Sequence, residues 1–204
     1  ITPPSIKITK LDSNNAALFL AGATFTLQEG TYNDGTFTPG GNSWTGTTDE
    51  NGLLVFGTDG QLMKYNTVYC LTETKAPGGY VLDAVPHYFA VAQEVEAEDG
   101  TKSYPSFPTG VTVWYQSAQY TYQAFNHKGE ITVAKDFRDA GGNVCAPVSG
   151  TYTFGLYEDA DAEGEPLQTV TITYNASDKE SNKTAVFRDL DLEKTYYVFE
   201  LDDH

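Results

Sequence analysis

The sequence has few cysteines and few basic residues. Only 2 cysteines occur among 204 residues, Cys70 and Cys145, so at most one disulfide bond can form and a disulfide framework is excluded. Lys and Arg number 12 against 28 Asp and Glu, a formal net charge of -16. Nucleic-acid phosphates and anionic membrane surfaces would repel such a chain, so neither is predicted as a partner.

Long apolar runs, sustained helical periodicity and catalytic motifs are also missing. No apolar run approaches the roughly 18 residues of a membrane span, and no signal peptide opens the chain. Because the chain begins at Ile1, we interpret it as a mature form or an excised fragment. We find no nucleophile elbow, zinc motif or phosphate loop, and the histidines lack metal-ligand spacing. No metal, no cofactor and no enzyme activity are therefore predicted.

The residues that are abundant favour β-structure. The chain contains 14 Tyr, 11 Phe and 19 Gly beside a single Met, and aromatic and β-branched residues favour strands. Short alternating segments are separated by Gly, Asn, Asp and Pro turns, which predicts an all-β sandwich or barrel. The predicted strands of the first half are residues 5–11, 23–28, 52–56, 67–73, 87–92, 111–115 and 119–125.

The pattern of the first half restarts near residue 128. Three pairs of segments resemble each other in the same order: 5–12 and 130–136, 22–27 and 150–156, and 69–73 and 196–200. We therefore predict two tandem β-domains, residues 1–127 and 128–204. About 50 residues follow Glu73 in the first domain but only four follow Glu200, so we expect the second domain to be truncated at its C-terminus.

Three polar residues of the first domain fall on faces that should be apolar. In a strand, residues i and i+2 share a face. Lys10 then lies with Ile6 and Ile8, and Glu73 lies with Tyr69 and Leu71. Asn126 likewise shares a face with Tyr120, Tyr122 and Ala124. In the second domain, Lys135 and Glu200 repeat the lysine and the glutamate.

Two interpretations of this pattern remain open. One is a buried ion pair, or strands whose polar ends reach water; burying an unpaired charge costs several kcal/mol. The other is a reaction. Burial lowers a lysine pKa, a neutral amine is a nucleophile, and a protonated glutamate can polarise the Asn carbonyl and pass a proton to departing ammonia. The product is an intramolecular isopeptide bond from Lys10 to Asn126, with Glu73 catalytic.

One motif of the first domain is specific to a known family. Residues 69–80 read YCLTETKAPGGY, which resembles the E-box Y-x-L-x-E-T-x-A-P-x-G-Y of Cna B-type (SpaA-like) domains in Gram-positive pilins and adhesins. The resemblance implies immunoglobulin-like β-sandwiches on a bacterial surface. It also implies that Lys10 is the linking lysine, Glu73 the catalytic glutamate and Asn126 the acceptor.

The second domain more loosely resembles the pilin isopeptide-linkage domains. Lys135 and Glu200 match the lysine and the catalytic glutamate, but no acceptor strand follows. We expect the acceptor beyond residue 204; a residue of a neighbouring molecule, Asn175 or Asn182 are the alternatives.

These observations predict a structural stalk, pilin or adhesin component of the Gram-positive cell wall or pilus surface. Its expected partners are neighbouring subunits, with sortase as the candidate for joining them, or further domains of the same chain. The alternative is an adhesin module that binds a host matrix protein or glycan through residues 93–110. Apart from single-turnover isopeptide formation, no catalysis is expected.

Overall fold

The computed structural model describes residues 2–201, and the chain folds as two compact units, Ile1–His127 and Lys128–His204. Within the described residues all regular secondary structure is strand, so the predicted all-β class is confirmed. The strands of the first unit are β1 Ser5–Asp12, β2 Asn15–Phe19, β3 Thr24–Asn33, β4 Thr36–Thr47, β5 Leu53–Phe56, β6 Val68–Lys75, β7 His87–Val91, β8 Val95–Glu96, β9 Lys102–Ser103, β10 Thr112–Trp114 and β11 Gln119–Asn126. Those of the second unit are β12 Gly129–Ala134, β13 Gly150–Tyr157, β14 Gln168–Tyr174, β15 Thr184–Leu190 and β16 Tyr197–Leu201.

Two sheets form the first unit. In one, β1 lies between β11, with which it is parallel, and the antiparallel strands β2 and β5. The other has the order β10-β7-β6-β3-β4. Strands β8 and β9 form a separate small hairpin.

Alternate residues of these strands build one core. Ile6 and Ile8 of β1, Leu27 of β3, and Tyr69 and Leu71 of β6 are almost completely buried in a single cluster. Each such side chain removed from water contributes about 1.5–3 kcal/mol to stability. Because the same alternation continues along each strand, the polar residues at their ends also point inward.

The second unit has a smaller core between two sheets, β12-β15 and β14-β13-β16. Phe154, Leu156, Ile172, Tyr174 and Phe187 are buried there. Within the described part of the chain, β12 pairs only with β15, whereas β1 of the first unit has neighbours on both edges.

Both cysteines are free thiols, Cys70 half-buried and Cys145 exposed. The one disulfide bond that the composition allowed is therefore not formed. Among residues 2–201, no helix is long and apolar enough to cross a membrane.

Candidate cross-linking site

The parallel pairing of β1 with β11 places Lys10 and Asn126 on one inward face. The register aligns Lys10 with Ala124 and Asp12 with Asn126. Lys10 and Asn126 are thus diagonal neighbours on adjacent strands. Glu73 reaches the same place from β6 in the opposite sheet, where it is paired with Phe25 of β3.

All three side chains are buried. The exposed fraction is 1% for Lys10, 3% for Glu73 and 1% for Asn126. A lone buried ammonium or carboxylate costs several kcal/mol, so their joint burial requires mutual compensation.

Lys10 is held by charge and by an aromatic ring. Its Nζ lies 3.0 Å from Glu73 Oε1 and 5.4 Å from the centre of the Phe25 ring. This contact is a close ion pair. Burial lowers the pKa of Lys10 below its usual 10.5, and the carboxylates of Glu73 and Asp83 oppose that shift. The lysine is therefore poised toward the neutral, nucleophilic amine.

The Asn126 amide is oriented by two acceptors. Its Nδ2 donates to Glu73 Oε2 at 2.8 Å and to the main-chain oxygen of Val81 at 2.9 Å. The Asn126 Oδ1 atom is buried and accepts no hydrogen bond from the described residues. Glu73 Oε2 also accepts a hydrogen bond from the main-chain N–H of Asp83, at 2.8 Å.

This orientation corrects one detail of the sequence-based hypothesis. We expected Glu73 to contact the Asn126 carbonyl, but it contacts the amide NH₂ group instead. The amide presents its donor group to Glu73, whose Oε2 atom accepts the hydrogen bond. The glutamate therefore lies beside the nitrogen that would leave as ammonia.

A cavity of about 30 Å³ adjoins the site, enough for a molecule of the size of water or ammonia. Its lining includes Lys10, Glu73, Asp83 and Val85. His87 closes one side, where its ring stacks on Tyr122 with 4.2 Å between ring centres. Burial lowers the pKa of His87, which favours its neutral form.

In the second unit the lysine and the glutamate meet, but less deeply. Lys135 Nζ lies 2.8 Å and 2.6 Å from the two carboxylate oxygens of Glu200. The exposed fractions of these side chains are 23% and 39%, because Lys135 follows the end of β12 and that strand has one partner in the described chain. Within residues 2–201, neither Asn175 nor Asn182 bonds to this pair.

The part of the chain that the structure describes holds no group of His, Cys, Asp or Glu suited to a metal ion. Comparison with known families gives one match: residues 4–103 match the model of the SpaA prealbumin-like fold domain. The first unit contains a SpaA-type domain. The resemblance inferred from the E-box is thereby confirmed. The curated proteins include no match to this chain.

Solved structures similar to the chain include three bacterial proteins. The Bacillus anthracis TIE protein is 20% identical, with 98% of this chain and 29% of that chain covered and a TM-score of 0.44. The major pilin SpaD from Corynebacterium diphtheriae is 19% identical, with 78% of this chain and 41% of that chain covered and a TM-score of 0.40. The group B streptococcus pilus 2b backbone protein is 23% identical, with 62% of this chain and 42% of that chain covered and a TM-score of 0.39. The chain spans less than half the length of each of these proteins. Similarity at this level says nothing about the function of this chain.

Proposed function

We propose that this chain is a structural component of a pilus or adhesin stalk on a Gram-positive cell surface. We further propose that its SpaA-type domain cross-links itself by an amide bond between Lys10 Nζ and Asn126 Cγ. The observation that carries the proposal is the buried contact of Glu73 with both Lys10 and Asn126. Neighbouring subunits or further domains of the same polypeptide would be its partners.

The reaction would begin with a proton transfer inside the buried ion pair. Glu73 takes a proton from the Lys10 ammonium, which leaves a neutral amine and a neutral acid in a dry site. The amine nitrogen attacks Asn126 Cγ, and the fold replaces a bimolecular encounter because it holds both groups together.

Ammonia would leave with the help of the same glutamate. Glu73 returns its proton to the Asn126 nitrogen, as expected for a general acid that already contacts this atom. The bond between Asn126 Cγ and this nitrogen then breaks, and the departing ammonia takes the extra proton of the former Lys10 amine and leaves as ammonium. Overall, one lysine ammonium and one carboxamide give one amide bond and one ammonium ion, and Glu73 is regenerated as a carboxylate.

Peptide mapping tests the bond at the level of residues. We expect trypsin to leave the bond after Lys10 uncut and to release a branched peptide that joins Lys10 to Asn126. Glu73→Gln should restore two separate peptides. Glu29→Gln is the matched control, because Glu29 is also a buried glutamate paired with a lysine, Lys64, at 2.7 Å. Separate, unmodified peptides from folded wild-type protein would refute the proposal.

The second unit would be a related domain, residues 128–204, that carries half of a similar site. Lys135 would be its linking lysine and Glu200 its catalytic glutamate, supported by their paired contacts. An Asn or Asp brought beside Lys135 Nζ would complete it.

A second candidate function, ligand binding by an adhesin module, is favoured by one cleft. This cleft has a volume of about 380 Å³ and is bordered by residues of the 93–110 region. Tyr104 and Tyr115 meet edge to face there, 4.8 Å apart, and Gln93, Glu94 and Ser117 supply polar groups. Aromatic faces beside such groups suit a neutral sugar.

A glycan array tests this second candidate. Saturable binding of a neutral glycan that Tyr115→Ala abolishes would support it. Absence of binding across neutral glycans would leave the structural role as the function of this unit.

A further inference from the structure

A seven-residue segment, residues 80–86, lies between β6 and β7, outside the named strands, and crosses the site. We call it the strap. Two of its main-chain groups contact the proposed reacting side chains: the Val81 oxygen accepts from Asn126 Nδ2 at 2.9 Å, and the Asp83 N–H donates to Glu73 Oε2 at 2.8 Å. The strap thus orients two of the three groups.

The beginning of the strap is tied to the strands that carry the site. The Tyr80 hydroxyl donates to Asp12 Oδ2 at 2.7 Å, and Asp12 is the register partner of Asn126. The Val81 N–H also donates to the main-chain oxygen of His127, at 2.9 Å. These two bonds fix the point from which the Val81 oxygen meets the Asn126 amide.

A side chain also shapes the middle of the strap. Asp83 Oδ1 accepts a hydrogen bond from the main-chain N–H of Val85 at 3.1 Å. Asp and Asn side chains both form local turns of this kind. Leu82 and Val85 are exposed, so this part of the strap has little apolar burial to hold it. Its conformation depends on hydrogen bonds.

We propose that the strap is the positioning element of the cross-linking reaction, with Tyr80 and Asp83 as its positioning residues. This inference rests on the proposed function. The strap bonds keep the Glu73 carboxylate turned toward the Asn126 nitrogen and hold the amide still for attack. Reaction rates of this type depend steeply on such alignment. Loosening the strap should therefore slow bond formation even where the domain remains folded.

The rate of cross-linking in freshly made protein measures this effect. The full chain is produced by cell-free synthesis, translation is stopped, and intact mass reports the fraction that has lost ammonia over time. Tyr80→Phe removes only the hydroxyl that bonds Asp12. We expect cross-linking to slow roughly tenfold, because the Asn126 amide is then less firmly aligned for attack. Tyr65→Phe is the control, because the hydroxyl it removes donates to the main-chain oxygen of Thr2 at 2.9 Å, a bond that involves none of Lys10, Glu73 and Asn126. This variant should react at the wild-type rate.

A second pair of variants separates strap shape from charge. Asp83→Asn and Asp83→Ala both remove the carboxylate, but only Asn keeps an acceptor for the Val85 N–H. We expect the Asn variant to react at or above the wild-type rate and the Ala variant to react several-fold slower than the Asn variant. Thermal midpoints measured in a Glu73→Gln background, where no bond forms, should be the same for Asn and Ala.

The outcomes distinguish the two proposals. If wild type never loses ammonia, the proposed function fails. If wild type cross-links while Tyr80→Phe keeps pace with Tyr65→Phe, and the two Asp83 variants react equally fast, the strap proposal is overturned and the proposed function stands. If Tyr80→Phe does not fold, the comparison of the Asp83 variants decides alone.

Discussion

At the residue scale, burial of Lys10 opposes the positive charge that a lysine normally carries. Its side chain is almost fully enclosed, and burial lowers its pKa more than the neighbouring carboxylates raise it. Amide formation would remove the charge altogether, since an amide nitrogen does not ionise. The polar interior of this domain is then explained as the precursor of a neutral product.

A pH dependence follows for protein that cannot cross-link, such as the Asn126→Ala variant. The folded chain releases the Lys10 proton at a lower pH than the unfolded chain does. Between the lowered pKa and the usual value of 10.5, the unfolded chain therefore binds more protons than the folded chain. The free energy of unfolding should therefore rise as pH approaches 10.5 from the lowered pKa. Urea denaturation of Asn126→Ala, with Asn126→Ala/Lys10→Met as reference, measures this. If the difference in free energy of unfolding between these two variants stays flat or falls as pH rises, the lowered pKa of Lys10 is contradicted.

At the element scale, β1 is the strand on which the site depends. It is paired on both edges, and its backbone at Lys10 is fixed by Gly52 and Leu20. The Lys10 N–H donates to the Gly52 oxygen at 2.8 Å, and the Leu20 N–H donates to the Lys10 oxygen at 2.9 Å. Any displacement of this backbone moves the Lys10 amine.

Gly52→Ala should test this dependence. Gly52 has a φ of +70°, and an added Cβ would lie 2.8 Å from the Lys10 oxygen and 3.0 Å from the Leu20 nitrogen. Gly60→Ala is the control, because Gly60 has a φ of +89° but open space around it. We expect both variants to lose about 1–2 kcal/mol of stability from backbone strain, and only Gly52→Ala to lose more and to cross-link slowly. Equal stability and equal cross-linking would contradict this account of β1.

Much of the first unit could be predicted from alternation alone. Residues 5–11 and 119–125 were predicted as strands and form most of β1 and β11, with Lys10 and Asn126 on the inward face. Strand β4 was not predicted, because Pro39 and the glycines after it mark a turn. Among residues 2–201 it pairs only with β3, which makes it an edge strand, where such residues are tolerated.

The candidate site shows a different limit of sequence reasoning. Val81 and Asp83 contact the site through main-chain atoms. The pattern of side chains in the sequence does not predict such contacts. In the second unit, alternation placed Lys135 and Glu200 inward, but β12 ends at Ala134 and both side chains remain partly exposed. Alternation along a strand predicts the face on which a side chain lies, but its burial also requires neighbouring strands.

At the scale of the whole molecule, a bond from Lys10 to Asn126 would enclose nearly all of the first unit. A cross-link around about 100 residues stabilises a domain by roughly 4–5 kcal/mol in the chain-entropy model. Tension applied at the two ends of this unit would pass through the bond, leaving residues 11–125 unloaded. Such a domain would suit a stalk under shear that has no disulfide bonds.

Force spectroscopy of the full chain, held at both ends, measures this load path. In wild type we expect only the second unit to extend, which provides an internal control in every trace. In Glu73→Gln the first unit should also unfold and release roughly 400 Å of chain, at up to about 3.6 Å per residue. The same extension for wild type and Glu73→Gln would contradict a covalent bypass.

The intact mass of the folded, full-length chain tests the central claim most directly. The account predicts a deficit of one ammonia from the mass of the sequence, because the first unit reacts and the described second unit lacks an acceptor beside Lys135. Glu73→Gln should show the full mass of its own sequence, while Glu29→Gln should keep the deficit. Folded wild-type protein with its full sequence mass would contradict the cross-link.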